Sequence, residues 1–241
     1  MLQGKVALIT GASKGIGKAL SIGFASAGAS ISCAARTKEH LEQTVNEIQQ
    51  NGGHALAVSA DVTIESEVQA MLNKTWEHFG RLDILIINAG GNLEHESVEV
   101  SDSERWRKTV ELNLFGAYYC AKAAIPYLKK SGAGKIILIG SGMGHRGAPK
   151  RSAYASAKAG VWMLTRILAQ ELKEDNISVN ELIPGPVDTG GFPVQYRKYL
   201  VEERKEWLKQ PEDVLQLALF LASQPDIGPT AQSFSLMRRD N

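Results

Sequence analysis

The sequence predicts an α/β fold: a single domain over residues 1–241, with a seven-stranded parallel sheet covered by helices on both faces. Three observations predict it. Short apolar runs alternate with longer stretches of helical periodicity along the chain. The runs are apolar throughout instead of alternating with polar residues, as strands buried on both faces are. No repeat, low-complexity tract or linker interrupts the alternation, so right-handed βαβ units can follow one another in one sheet.

Each element has its own signal. "KVALIT" (Lys5–Thr10) reads as the first strand, and Gly15 to Gly28 as a helix with Ile16, Ala19, Leu20, Gly23 and Phe24 on one face. "SISCAA" (Ser30–Ala35) is the second strand, with a helix from about Lys38 to Gln50. "ALAVSA" (Ala55–Ala60) is the third, with a helix to about Phe79. "LDILIIN" (Leu82–Asn88) is the fourth, before a long helical region from about Asp102 to Lys130 that breaks near Asn113. "KIILIG" (Lys135–Gly140) is the fifth. A helix from about Ser152 to Asp175 leads to "ISVNELI" (Ile177–Ile183), the sixth. The segment from Gly190 to Gln210 is polar and helical in pattern. "PEDVLQLALFLAS" (Pro211–Ser223) opens with proline and carboxylates, as a helix start does, and "AQSFSL" (Ala231–Leu236) is the seventh strand.

Composition narrows the function classes. Hydrophobic residues are 44% and charged residues 22%, with a formal net charge of +1. Nothing in that balance points to nucleic acid or an anionic membrane. The two cysteines, Cys33 and Cys120, sit in apolar runs and read as buried hydrophobes of a reducing compartment. No apolar run reaches the ~18 residues of a membrane-spanning helix, and "MLQGKVALIT" is too short for a signal peptide. The reading is a soluble, cytoplasmic protein. His40, His54, His78 and His95 show no ligand spacing, so no metal is expected.

In a doubly wound sheet, ligands bind beyond the carboxyl ends of the strands. The stretch "LITGASKGIGKAL" places Gly11, Gly15 and Gly17 between the first strand and the first helix. Strand, glycine loop and helix form a dinucleotide-binding arrangement, in which a pyrophosphate sits against the backbone at the positive end of a helix. The spacing is G-x-x-x-G-x-G instead of the commoner G-x-G-x-x-G; a tight structural turn is the alternative.

"TGASKGIG" resembles the cofactor loop of the short-chain dehydrogenase/reductase family. Further marks follow in order: "INAGG" (Ile87–Gly91), Asn113 in "ELNLFG", Ser141 in "IGSGMG", "YASAK" (Tyr154–Lys158) and "PGPVDT" (Pro184–Thr189). The resemblance runs from residue 4 to about 190 and implies a Rossmann fold. It implies that Gly11, Ser13, Lys14, Gly15, Ile16 and Gly17 hold the cofactor. Asp61 and Val62 would flank its adenine, and Asn88, Ala89 and Gly90 its ribose. Pro184, Gly185, Val187 and Thr189 would lie at the nicotinamide. Members that prefer NAD resemble one another in an acid at the end of the second strand. This chain has Ala35 and then Arg36, with Lys14 in the glycine loop. Two cations and no acid suit a ribose 2′-phosphate, and NADP(H) is the expected cofactor.

Tyr154 and Lys158 are four apart on a helix and share one face. A lysine ammonium at about 4 Å is worth roughly 4 kcal/mol at an effective dielectric of 20. That would lower a phenol pKa by up to about 3 units. Tyr154 is then the general acid/base, Ser141 holds the substrate oxygen, and Asn113 resembles the family residue that positions a water in a proton relay to Lys158. The implied reaction interconverts a ketone or 3-oxoacyl-type carbonyl and a secondary alcohol by hydride transfer. The alternatives are a non-catalytic NADP(H) sensor and a same-fold epimerase or dehydratase.

His145 and Arg146 stand either as substrate ligands or as solvated loop residues. Residues from about 189 to 210 form a charged amphipathic lid, with Phe192, Tyr196, Tyr199, Leu200 and Trp207 facing inward. The likeness is nearest to bacterial 3-oxoacyl-(acyl-carrier-protein) reductases, which dock an acidic carrier through basic residues. Lys129 and Lys130 would serve at one helix end, but Asp175, beside Glu174, replaces the expected base at the other. A free small carbonyl compound is therefore at least as good a substrate. The tail "SFSLMRRDN" lacks the family's "NGG"-like ending. By analogy the chain is a homotetramer or homodimer, with Val110, Leu114, Ala117, Ala121, Val161, Leu164 and Leu168 partly facing the sheet and partly a partner.

Overall fold

The first strand, β1 (Val6–Thr10), is buried along its whole length and lies inside the sheet, with strands on both sides. Alternate side chains of such a strand point to opposite faces, and both faces here are covered by helices. α1 (Gly15–Ser26), β2 (Ser30–Ala35), α2 (Lys38–Gln50), β3 (Ala55–Ser59) and α3 (Glu65–Phe79) follow. β4 (Ile84–Ile87) then pairs with the other side of β1. After α4 (Ser103–Val110) and α5 (Gly116–Lys130) come β5 (Gly134–Ile139), α6 (Ser152–Glu171), β6 (Ile177–Ile183), α7 (Val194–Lys198), α8 (Leu215–Ser223) and β7 (Ser233–Ser235). All pairings are parallel, in the order β3-β2-β1-β4-β5-β6-β7. The protein is described by a computed structural model over residues 1–190, 193–203 and 207–237.

Two apolar layers sandwich the sheet. On one face Ala7, Ile9, Ile31, Cys33, Ile137 and Leu182 pack with Leu20 and Phe24 of α1, Leu41 of α2 and Leu219 of α8. On the other, Leu8, Ala34, Leu85, Leu138 and Val179 pack with Leu72 of α3, Ala117 and Ala121 of α5, and Val161 and Leu168 of α6. The chain leaves β1 in one direction and returns on its far side at β4, so the helices diverge there and open a crevice at the strand ends.

The predicted seven parallel strands and their covering helices are present. β2, α2 and β6 occupy the predicted residues. Other ends moved for visible reasons. Asn88 leaves the fourth strand because its side chain turns to the Thr10 carbonyl, 2.9 Å away. The helical region around Asn113 is divided by a π turn at Glu111–Phe115. The helix after Ser152 stops at Glu171, and a 3-10 turn (Lys173–Asp175) closes on Asn176 at φ +54°. β7 is shorter than predicted, starting after Ala231 at φ +59°.

The inward-facing set between residues 189 and 210 needs correction. Leu200 is buried, but Trp207 is 60% exposed and Tyr199 39% exposed. The short α7 and the π turn at Tyr199–Glu203 present too narrow a face to bury all of them. Phe192 and the side chain of Tyr196 lie outside the described residues. Lys129 is held by Asp175, 2.7 Å away, so the acid that replaces the expected base also pairs with the neighbouring cation. Ala117, Ala121, Val161 and Leu168 face the sheet fully. The apolar surface left on these helices is carried instead by Phe115, Tyr118, Met163 and Ile167, each more than two-fifths exposed.

Phe24 is fully buried between α1 and the sheet. Phe24→Ala should lower the unfolding free energy by about 3–5 kcal/mol, through lost transfer energy and a residual cavity, measured by urea denaturation.

Candidate active site

A cleft of about 520 Å³ lies across the carboxyl ends of the strands. Of the residues expected at a cofactor, Gly11, Ser13, Lys14, Gly15, Ile16, Arg36, Asp61, Val62, Asn88, Ala89, Gly90, Tyr154, Lys158, Pro184, Gly185, Val187 and Thr189 all line it. Gly17 does not. A Cβ there would lie 2.2 Å from the Gly11 carbonyl oxygen and 2.5 Å from Asn88 Nδ2. The chain itself occupies the space, so this glycine serves the packing of α1 on the end of β1. Gly11 adopts φ +68° and is pressed on Asn88 and Ala89. Sequence reasoning missed His40 and Thr37, which line the same cleft beside Arg36; their only sequence signal is proximity to the second strand's end.

The cleft fits a dinucleotide on its own evidence. α1 begins at Gly15 without a capping side chain and with no acid in its first turn. Its first amide N–H groups therefore offer positive potential to an anion. At the end of β2, Arg36 is 68% exposed in its side chain and stands 3.7 Å from Asp61, a surface pair worth little by itself. Asp61 is also occupied by Thr63, whose amide and hydroxyl both donate to it.

Asn88 ties the crevice floor. Thr10 Oγ1 accepts from the amides of Asn88 and Ala89 at 3.0 Å. Asn113 pins the next stretch: its Nδ2 donates to the Gly91 carbonyl at 2.6 Å and the Thr109 carbonyl at 2.8 Å. Its Oδ1 accepts from the Gly91 amide at 3.2 Å. At the π turn this side chain bridges its own helix and Gly91. Asn113 therefore stands behind the cleft wall, and its amide is engaged by backbone.

Tyr154 and Lys158 project from the first two turns of α6. Lys158 is buried, and its Nζ donates to the Ile139 carbonyl at the end of β5, 2.7 Å away. The same Nζ lies 5.7 Å from the centre of the Tyr154 ring. Ser141 starts a 3-10 turn, accepting from the Met143 amide at 3.2 Å, and its hydroxyl acts to lower the Tyr154 pKa. The pKa of Tyr154 is raised from 10.0: burial outweighs the lowering by Ser141 and by Arg151. This corrects the sequence expectation of a phenol pulled down by lysine. The physical reason is that Lys158 is itself desolvated, its pKa lowered to about 8, and bonded to Ile139.

His145 does not line the cleft, and although exposed it is not free. Its Nε2 pairs with Glu181 at 2.8 Å, and its ring packs on Trp162 of α6. Trp76 packs on Tyr127, and Trp106 donates to Ser152. Among the described residues, no group of His, Cys, Asp and Glu could hold a metal, and no helix is long and apolar enough to cross a membrane.

A family model described as short chain dehydrogenase matches residues 5–198. The chain belongs to that family of oxidoreductases. It is 36% identical to the 7alpha-hydroxysteroid dehydrogenase of Escherichia coli K12, over 92% of this chain and 88% of that one. It is 34% identical to the 3-oxoacyl-[acyl-carrier-protein] reductase of Thermotoga maritima, over 96% and 95%. A solved 7 alpha-hydroxysteroid dehydrogenase, complexed with NADH and 7-oxo glycochenodeoxycholic acid, superposes with a TM-score of 0.91. It is 33% identical, and the match covers 98% of this chain and 93% of that one. The fold is one that binds a nicotinamide cofactor.

Two measurements follow from the site. Gly17→Ala should weaken dinucleotide binding and lower the melting temperature together, since the methyl must displace α1 from Gly11. Titration of cofactor fluorescence and thermal unfolding read the two effects. Between about pH 8 and 10.5 the unfolded chain keeps a proton on Lys158 that the folded chain has released, so this group makes stability rise with pH. Burial pushes the Cys33 and Cys120 thiols from 9.0 to about 12, which makes stability fall with pH across that range. Urea unfolding should show the rise above about pH 8 and a downturn above about 9. Replacing both cysteines by alanine should remove the downturn.

Proposed function

We propose that this protein is an NADP(H)-dependent oxidoreductase that interconverts a carbonyl and a secondary alcohol. The observation that carries the reading is that Tyr154 and Lys158 line the cleft beside the end of β5, Lys158 bonded to Ile139, with Ser141 just behind Gly140 of the lining and acting on Tyr154. The substrate is a ketone or 3-oxoacyl-type small molecule, a chemistry in keeping with both named relatives.

The bound nicotinamide supplies or takes the hydride. Ser141 Oγ holds the substrate oxygen beside the Tyr154 hydroxyl. In reduction, that hydroxyl gives its proton to the oxygen as negative charge develops there; in oxidation it takes the proton back. The raised pKa keeps Tyr154 protonated at neutral pH, the form that reduction needs. Lys158 holds the cofactor ribose and places a positive charge below the phenol. Asn113 fixes the Gly91 backbone, next to Gly90, whose lack of a side chain leaves room for Asn113 Oδ1 and Lys158 Nζ; a water held there would serve a proton relay to Lys158.

For the cofactor's adenosine end, Arg36 and Lys14 flank the cleft where a 2′-phosphate would sit. Arg36 would exchange its weak contact with Asp61 for a doubly charged partner. The lid, residues 189 to 210, would cover the substrate. Phe115, Tyr118, Met163 and Ile167 supply the apolar surface for a homodimer or homotetramer, and the chain acts in the cytoplasm.

The test is NADPH and NADH oxidation, followed by absorbance, with acetoacetyl thioesters, diketones, keto esters and oxosteroids. Tyr154→Phe should lower kcat by roughly 100-fold or more, with NADPH binding retained. Arg36→Ala should raise the KM for NADPH by about tenfold, the loss of one charge-assisted contact, and leave that for NADH unchanged. Turnover favouring NADH in the wild type would remove the 2′-phosphate reading. Retained turnover in Tyr154→Phe would remove the proton-transfer reading.

A further inference from the structure

Glu181, toward the carboxyl end of β6, is fully buried. Its Oε2 accepts from Ser233 Oγ of β7 at 2.6 Å and pairs with His145 Nε2 at 2.8 Å. Its Oε1 is buried and has no hydrogen-bond partner among the described residues. Such an atom is costly unless something compensates its charge. The orphan oxygen has a defined position. A Cβ on Gly140 would lie 1.9 Å from it, so the carboxylate fills the space that Gly140 leaves free. Gly140 stands between Ile139, whose carbonyl accepts from Lys158 Nζ, and Ser141. The carboxylate thus lies under the joint between the two groups that flank Tyr154.

We propose that Glu181 is a positioning residue of this site: its carboxylate, fixed by His145 and Ser233, is the inner counter-charge of the Lys158 ammonium. The proposal rests on the catalytic reading of Lys158 given above. Tyr154 on the same helix lies beside Lys158, and Glu181 on β6 acts on its charge; Arg151 acts on Tyr154 and His145 pairs with Glu181. Asn113 and the Ile139 carbonyl are neutral. Tyr154 is held protonated by burial, which leaves Glu181 as the source of negative charge. Burial lowers the Lys158 pKa to about 8, and the Glu181 charge acts against that fall. Without it the ammonium would lose its proton within the working range of an enzyme at neutral pH. The carboxylate also explains why residue 140 is glycine: any side chain there would displace the counter-charge.

The deciding experiment titrates Lys158 in the cofactor-free protein. Lysine labelled with carbon-13 at Cε is followed by NMR against pH, with Lys158→Arg to assign the signal. The wild-type midpoint is expected at about 8. In Glu181→Gln, which keeps the shape and an acceptor for His145, it should fall below the wild-type midpoint, while Glu181→Asp should restore most of it. An unchanged midpoint in folded Glu181→Gln overturns the proposal. The wild type gives a second check that needs no variant to be stable. With glutamate labelled at Cδ, a protonated Glu181 at neutral pH also overturns the proposal. In turnover, the alkaline limb of the kcat/KM profile for reduction should move down with the lysine midpoint. A loss of kcat equal at every pH would show a structural role only and overturn it. The NMR titration is read without substrate, so failure of the proposed activity and failure of the Glu181 assignment are separate results.

Discussion

α1 touches the end of β1, and the cleft exists because of that contact. The backbone at Gly17 comes so near the Gly11 carbonyl that no side chain fits between them. This close approach brings the uncapped start of α1 level with the strand ends. It leaves the amides of the first turn facing the crevice between β1 and β4. Asn88 closes the arrangement by bridging to the carbonyls of Thr10 and Gly11. The anion site, the cleft floor and the β1–β4 switch are therefore one construction, and they stand or fall together.

The chemistry sits where folding is least comfortable. Lys158 is buried and donates to a backbone carbonyl; Glu181 is buried with one oxygen unsatisfied among the described residues. An apolar pair would serve stability better. These two charges lie at the carboxyl end of a sheet that is otherwise packed with isoleucine, leucine and valine. The low dielectric that makes them costly also strengthens the hold of Glu181 on the Lys158 charge.

Much of this was legible in the residues. The alternation of β2, α2, β3 and α3 is written in local periodicity, and the cofactor wall follows from short motifs at the strand ends. What escaped was set by contacts distant in sequence. His145 looked like a free loop residue because its partner, Glu181, comes from another strand. Glu181 itself carries no motif; in "SVNELI" it is one polar residue inside an apolar strand, and only the fold turns it toward Gly140. The rise in the Tyr154 pKa was likewise hidden: spacing places lysine near tyrosine, but burial of both, a property of the whole domain, decides the sign. Trp207 misled in the opposite sense, since a large aromatic in a polar segment reads as an inward anchor and here faces solvent.

The π turn at Glu111–Phe115 has an effect beyond Asn113. A π turn holds one residue more than an α turn, and one residue corresponds to about 100° of rotation about the helix axis. α4 and α5 are continuous in backbone yet out of phase by roughly that angle. The side of the rod that meets α6 before the turn is therefore not the side that carries Phe115 and Tyr118 after it. Deleting one residue between 111 and 115 would restore an unbroken α-helix and turn the outer face of α5, with Tyr118, by about that angle relative to α4. The single extra residue sets the compass bearing of the whole outer surface of α5.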